Sequence, residues 1–122
     1  MNRRKHEMKI LVIDDEPNIR LLFQEIFKLK GYDTEIAENG KIGLEMLKEN
    51  YYDLIFLDRK MPVMSGDETL EQLRKFSDVP VYLVSAFQTD EEIQSIKQTG
   101  ATGVLMKPFT IDEVVKIAEK FS

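Results

Sequence analysis

The sequence predicts an α/β fold: a (βα)5 doubly wound sheet of five parallel strands with helices on both faces. Three observations predict it. Short apolar runs alternate with longer amphipathic stretches five times along the 122 residues. Two of the runs, Leu54–Leu57 and Val81–Val84, are apolar at every position, as strands covered on both sides require. The amphipathic stretches carry helix start and stop signals, and strand–helix alternation of this kind builds a layered parallel sheet.

Taken in order, "KILVID" (9–14) is the first strand. "PNIRLLFQEIFKLKG" follows as a helix, with Pro17 at its start and Gly31 at its stop. At about 100° per residue, Ile19, Leu22, Phe23, Ile26, Phe27 and Leu29 cover an arc of roughly 160°. "TEIAE" (34–38) is the second strand and "GKIGLEMLKENY" (40–51) the second helix. "DLIFLD" (53–58) is the third strand, followed by an extended loop before the helix "GDETLEQLRKF" (66–76). "VPVYLVSA" (79–86) is the fourth strand and "GVLMK" (103–107) the fifth. The last two helices, "TDEEIQSIKQTGA" (89–101) and "TIDEVVKIAEKFS" (110–122), open on capping patterns, Thr89 before Glu92 and Thr110 before Glu113.

Composition narrows the function. At 43% apolar residues the chain suits one globular core, and it has no Gly/Ser linker to a second domain. Residues 1–7 are expected to be a leader, disordered or left over from expression, and residues 8–122 the domain. No apolar run approaches the roughly 20 residues that span a membrane. With 17 basic and 22 acidic residues the net charge is −5, which argues against broad nucleic-acid binding. There is no cysteine, hence no thiolate chemistry, and a cytoplasmic location is the simplest expectation. His6, the only histidine, lies in the leader, so no mechanism here uses a histidine inside the fold.

In an open parallel sheet the functional crevice lies beyond the carboxyl ends of the strands. The residues at those ends form a chemical set. Strand 1 ends in Asp14 and Asp15, strand 3 in Asp58, strand 4 in Ser85, and strand 5 in Lys107 before Pro108. Strand 2, ending in Ala37 and Glu38, adds nothing comparable. Three carboxylates at one edge raise one another's pKa unless a cation compensates. Mg2+, with Mn2+ as an alternative, suits such an all-oxygen set. Lysine and serine beside it supply a fixed positive charge and a hydroxyl donor for a phosphoryl group. A carboxylate in that setting is a competent nucleophile toward phosphorus.

"DDEP" after strand 1, "DLIFLDRKMPVMSG" at strand 3, "VSA" at strand 4 and "MKPF" at strand 5, in that order, resemble the receiver domain of bacterial response regulators. The resemblance runs from about Met8 to Ser122. It implies a flavodoxin-like fold and a signalling module that catalyses its own phosphorylation and slow dephosphorylation. Asp58 then corresponds to the phosphoacceptor. Asp15 corresponds to a direct Mg2+ ligand, Asp14 to a ligand through water, and the Lys60 backbone carbonyl to the third protein ligand. Ser85 and Lys107 are the hydroxyl and the cation that meet the phosphoryl group. The resemblance also implies a cis bond before Pro108. The implied partner is a histidine kinase or a histidine phosphotransfer protein, docking on Ile19, Leu22, Pro108 and Phe109. The signal would pass by protein–protein contact or by onward relay in a phosphorelay.

Several positions depart from the family pattern. Val104 stands three residues before the lysine, where an aromatic is frequent, so switching falls to the backbone and Ser85. Arg59 replaces an aliphatic residue; it is expected to be solvated rather than to lie over the site. Phe87 is a candidate shield for the acyl phosphate. Glu16 is expected only to begin the first helix. Two other readings compete with this one. A Mg2+-dependent aspartyl-phosphate phosphatase of the haloacid-dehalogenase type carries a second Asp two residues after its nucleophile; here that residue is Lys60, and no cap insertion is present. An FMN-binding flavodoxin-like domain needs a neutral, hydroxyl-rich phosphate loop, which "DDEP" is not.

Overall fold

The computed structural model describes residues 7–86 and 89–122. Five strands alternate with five helices: β1 Lys9–Ile13, α1 Pro17–Leu29, β2 Asp33–Ala37, α2 Gly40–Glu49, β3 Leu54–Asp58, α3 Gly66–Leu73, β4 Val81–Ser85, α4 Asp90–Lys97, β5 Gly103–Met106 and α5 Ile111–Glu119. All pairings are parallel and the strand order is β2-β1-β3-β4-β5. The order places β3 and β4 inside the sheet, which is why each is buried at every residue. Strand order reverses between β1 and β3, so the crevice at their carboxyl ends is the place for a site.

Alternation along the strands sorts two cores. Ile10, Val12, Leu54, Phe56, Tyr82 and Val84 face α1 and α5. Leu11, Ile13, Ile55, Leu57, Val81 and Leu83 face the opposite layer, with Leu70 and Leu73 of α3 and Ile96 of α4. On the first face, Phe23 and Phe27 of α1 stack on Phe56 with ring centroids 5.0 and 5.7 Å away. Full burial of each such ring contributes about 1.5–3 kcal/mol.

The helix signals act as read. Pro17 opens α1, and after the C-cap Lys30 the chain turns at Gly31 with φ +76°. Thr89 with Glu92 and Thr110 with Glu113 form reciprocal capping boxes. A third box, Ser65 with Glu68, opens α3 and was not anticipated. The apolar arc of α1 needs one correction. Leu29 is 86% exposed: it is the last helical residue, and it lies with Leu22 at one edge of the arc. Among the described residues, no helix is long and apolar enough to cross a membrane.

Candidate functional site

Register assembles the acids. Ile13 of β1 pairs with Leu57 of β3, so the next step along each strand brings Asp14 beside Asp58. The Asp14 N–H donates to the Ala37 carbonyl at 3.1 Å, so β1 stays tied to β2 where it delivers the acids. Both side chains continue the alternation that faces α1 and α5. Carboxylate oxygens of Asp14, Asp15 and Asp58 all lie within 4.8 Å of one another. Asp14 and Asp58 are buried, at 1% and 4% exposure, whereas Asp15 is exposed.

Burial without full compensation shows in their acidity. Desolvation pushes the Asp14 carboxyl above its ordinary value, against the Glu16 N–H and the Lys107 charge. The Asp58 carboxyl is pushed up to about 6, by burial first and by the Asp14 charge next. Lys107 and the Lys60 backbone N–H oppose that rise. An all-oxygen set with excess negative charge fits a hard divalent cation.

The turn carrying these acids is held from α1. Glu16 N–H donates to Asp14 Oδ1 at 2.8 Å, and the Arg20 guanidinium donates to the Asp14 carbonyl at 2.8 Å. Glu16 caps α1 with no side-chain bond, and its carbonyl accepts from the Ile19 and Arg20 N–H groups. Sequence reasoning missed Arg20. The available signal was a basic residue one turn into a helix that starts directly after three consecutive acids.

From the other side of the sheet centre comes Lys107, whose Nζ lies 3.6 Å from Asp58 Oδ1. Its N–H donates to the Ser85 carbonyl at 2.7 Å, which ties the residue to the end of β4. Ser85 is buried there at 3% exposure. The Lys107–Pro108 bond is cis. One edge of the sheet thus holds all five of Asp14, Asp15, Asp58, Ser85 and Lys107.

The loop 59–65 leaves β3 under tight constraint. The Gly66 N–H donates to the Arg59 carbonyl at 2.8 Å, and a Cβ at Gly66 would lie 2.3 Å from the Asp58 carbonyl oxygen. Lys60 is exposed, and Met61 is buried in the core facing α3. Val63 is fully exposed at φ 72°, in a short turn that Met64 N–H closes onto the Pro62 carbonyl at 2.8 Å. Arg59 is not simply solvated: its Nε lies 3.1 and 3.3 Å from the two carboxylate oxygens of Asp67, and its side chain is only 20% exposed.

Of the four expected docking residues, Leu22 is 37% exposed and Pro108 is exposed. Ile19 and Phe109 are partly buried against the core, Phe109 with its ring 5.4 Å from Phe23. Leu21, outside the apolar arc of α1, is 56% exposed. Val104 packs partly buried on the α2–α4 face. Phe87 lies outside the described residues, as does His6.

The chain resembles known proteins in sequence and in fold. The chain is 36% identical over 114 residues to sporulation initiation phosphotransferase F of Bacillus subtilis, covering 93% of this chain and 92% of that protein. It is 32% identical to the regulatory protein AtoC of Escherichia coli over 92% of this chain, but spans only 24% of AtoC. Among solved structures, the receiver domain of a Francisella response regulator superposes with a TM-score of 0.89 at 34% identity, covering 94% of this chain and 96% of that one. Residues 10–119 match the family model of the response regulator receiver domain, and that span includes every acid, the serine and the lysine of the site. The chain therefore belongs to the response regulator receiver domains, the signalling modules of two-component systems.

Proposed function

We propose that this chain is a phosphoacceptor that takes a phosphoryl group onto Asp58 from the phosphohistidine of a histidine kinase or phosphotransfer protein. One observation carries the reading: a buried Asp58 carboxylate with the Lys107 ammonium 3.6 Å from Oδ1 and two further carboxylates within reach. An Asp58 carboxylate oxygen attacks phosphorus. The P–N bond breaks, the imidazole nitrogen leaves with the electron pair, and a C–O–P acyl phosphate forms. No base is required, since the attacking group is already a carboxylate at neutral pH.

The fixed charge of Lys107 meets a phosphoryl oxygen, and the Ser85 hydroxyl donates to another. Asp14, Asp15, Asp58 and the Lys60 backbone carbonyl are the groups that would hold Mg2+, or Mn2+ in its place. When bound, such a cation neutralises charge on the carboxylates and the phosphoryl oxygens. Water removes the group slowly, so the module resets itself. Leu22 and Pro108 present apolar surface beside the site, and with Ile19 and Phe109 they form the docking edge for the donor helix. Output passes by protein contact or by relay to a second histidine, in the cytoplasm.

Phosphoramidate, whose P–N bond imitates phosphohistidine, tests the chemistry without a known kinase. With Mg2+ the chain should gain one phosphoryl group by intact mass, and Asp58→Asn should gain none. A chelator should stop incorporation while circular dichroism stays unchanged. Incorporation that survives Asp58→Asn would refute the assignment. Turnover of small phosphomonoesters at ordinary enzyme rates would favour the phosphatase instead.

A further inference from the structure

Arg59 directly follows the reactive aspartate, and its backbone is held at both ends. Its N–H donates to the Val84 carbonyl of β4 at 2.9 Å, and its carbonyl accepts from Gly66 at 2.8 Å. The side chain adds a third tie, Nε to both oxygens of Asp67 in the first turn of α3, at 3.1 and 3.3 Å. Side-chain exposures of 20% and 37% separate this pair from a fully solvated surface bridge. The peptide after Arg59 presents the Lys60 N–H to the Asp58 carboxylate. One guanidinium nitrogen thus meets both oxygens of the carboxylate in a charge-assisted contact.

We infer that the Arg59–Asp67 pair is a brace that positions the Lys60 peptide unit against Asp58, making Arg59 and Asp67 positioning residues of the acidic site. The pair anchors the first residue of the 59–65 loop to the helix that ends the loop. The loop is thereby closed by a side-chain bridge as well as by the Gly66–Arg59 hydrogen bond. Without the bridge, the Gly66–Arg59 hydrogen bond alone ties the Lys60 peptide to α3, and that peptide turns away from the carboxylate more often. The consequence for cation affinity rests on the reading given under Proposed function; the backbone consequence does not.

The test uses the whole chain, free of metal, as Arg59→Ala, Asp67→Ala and the double variant. Amide hydrogen exchange at Lys60 should quicken about tenfold or more in each single variant, with the sheet amides unchanged. The double variant should exchange no faster than the worse single one, because the two side chains act as one unit. Titration with Mg2+ alone, read by calorimetry, should show affinity weakened about three- to tenfold in the same variants. Unchanged Lys60 exchange, additive effects in the double variant, or equal acceleration across the whole sheet would each overturn the brace. Failure of the wild-type chain to bind Mg2+ would overturn the cation reading, while Lys60 exchange still decides the brace.

Discussion

Lys107, just past β5, places its ammonium 3.6 Å from the Asp58 carboxylate at the end of β3, reaching across the carboxyl end of β4. The acid is buried, and this lysine is the cation that opposes the rise in its pKa. Lys107→Ala should therefore move the Asp58 carboxyl further above its present value of about 6. It should also slow phosphoryl incorporation on the order of a hundredfold. Carbon NMR of the Asp58 carboxyl and the phosphoramidate assay check the two effects separately.

The pH dependence of stability has a definite sign. Asp58 is raised in the folded protein from an ordinary 3.8 to about 6. The folded state thus holds the proton more tightly than the unfolded chain. The resulting stability is fully present below about pH 4 and is lost as pH rises through about 6. Asp14, also raised, acts in the same direction. The metal-free chain should melt at a lower temperature at pH 7.5 than at pH 5, with Asp58 contributing on the order of 1 kcal/mol over that interval. Asp58→Asn should flatten this fall and be the more stable protein at pH 7.5; scanning calorimetry across the range measures both.

Gly66→Ala should destabilise the domain by about 2–4 kcal/mol. The added Cβ would meet the Asp58 carbonyl oxygen at 2.3 Å and the Arg59 Cα at 2.7 Å, backbone atoms that cannot move without displacing the site. Urea unfolding gives the loss, and Mg2+ titration of the folded fraction should show weakened binding.

Val63→Gly should stabilise, by up to about 1 kcal/mol. A β-branched side chain at φ 72° is strained, and this one is fully exposed, so its removal forfeits no packing. A melting temperature below wild type would contradict that account of the loop.

Leu22→Ala should slow phosphotransfer from a histidine kinase about three- to tenfold while costing little stability, because the side chain is already 37% exposed. Incorporation from phosphoramidate should not change, since a small donor needs no docking edge. Ile19→Ala should lose stability as well, because Ile19 packs against the core.

The layered sheet and its acidic edge were readable because each depends on a short-range rule. Strand period and strand end alone put Asp14, Asp58, Ser85 and Lys107 at one edge, and helix signals marked Pro17, Thr89 and Thr110. What escaped depends on the path of a loop or on the end of an element. The Arg59–Asp67 bridge joins the first residue of the 59–65 loop to the helix after it, and no pattern announces the loop's closure onto Gly66. Arg20 reaches back to the Asp14 carbonyl from the first turn of a helix that opens at Pro17, a contact that depends on how the β1–α1 turn is folded. Leu29 satisfied the apolar periodicity of α1, yet the helix ends there and the layer behind it has run out.

Whether Asp58 itself carries the phosphoryl group is decided most directly by one measurement. Borohydride reduction of the phosphorylated chain converts an aspartyl phosphate to homoserine, which peptide mass spectrometry can place. Homoserine at position 58, and at no other acid, is the predicted result. An unmodified Asp58, with label on Asp14, Asp15 or a hydroxyl side chain, would contradict it.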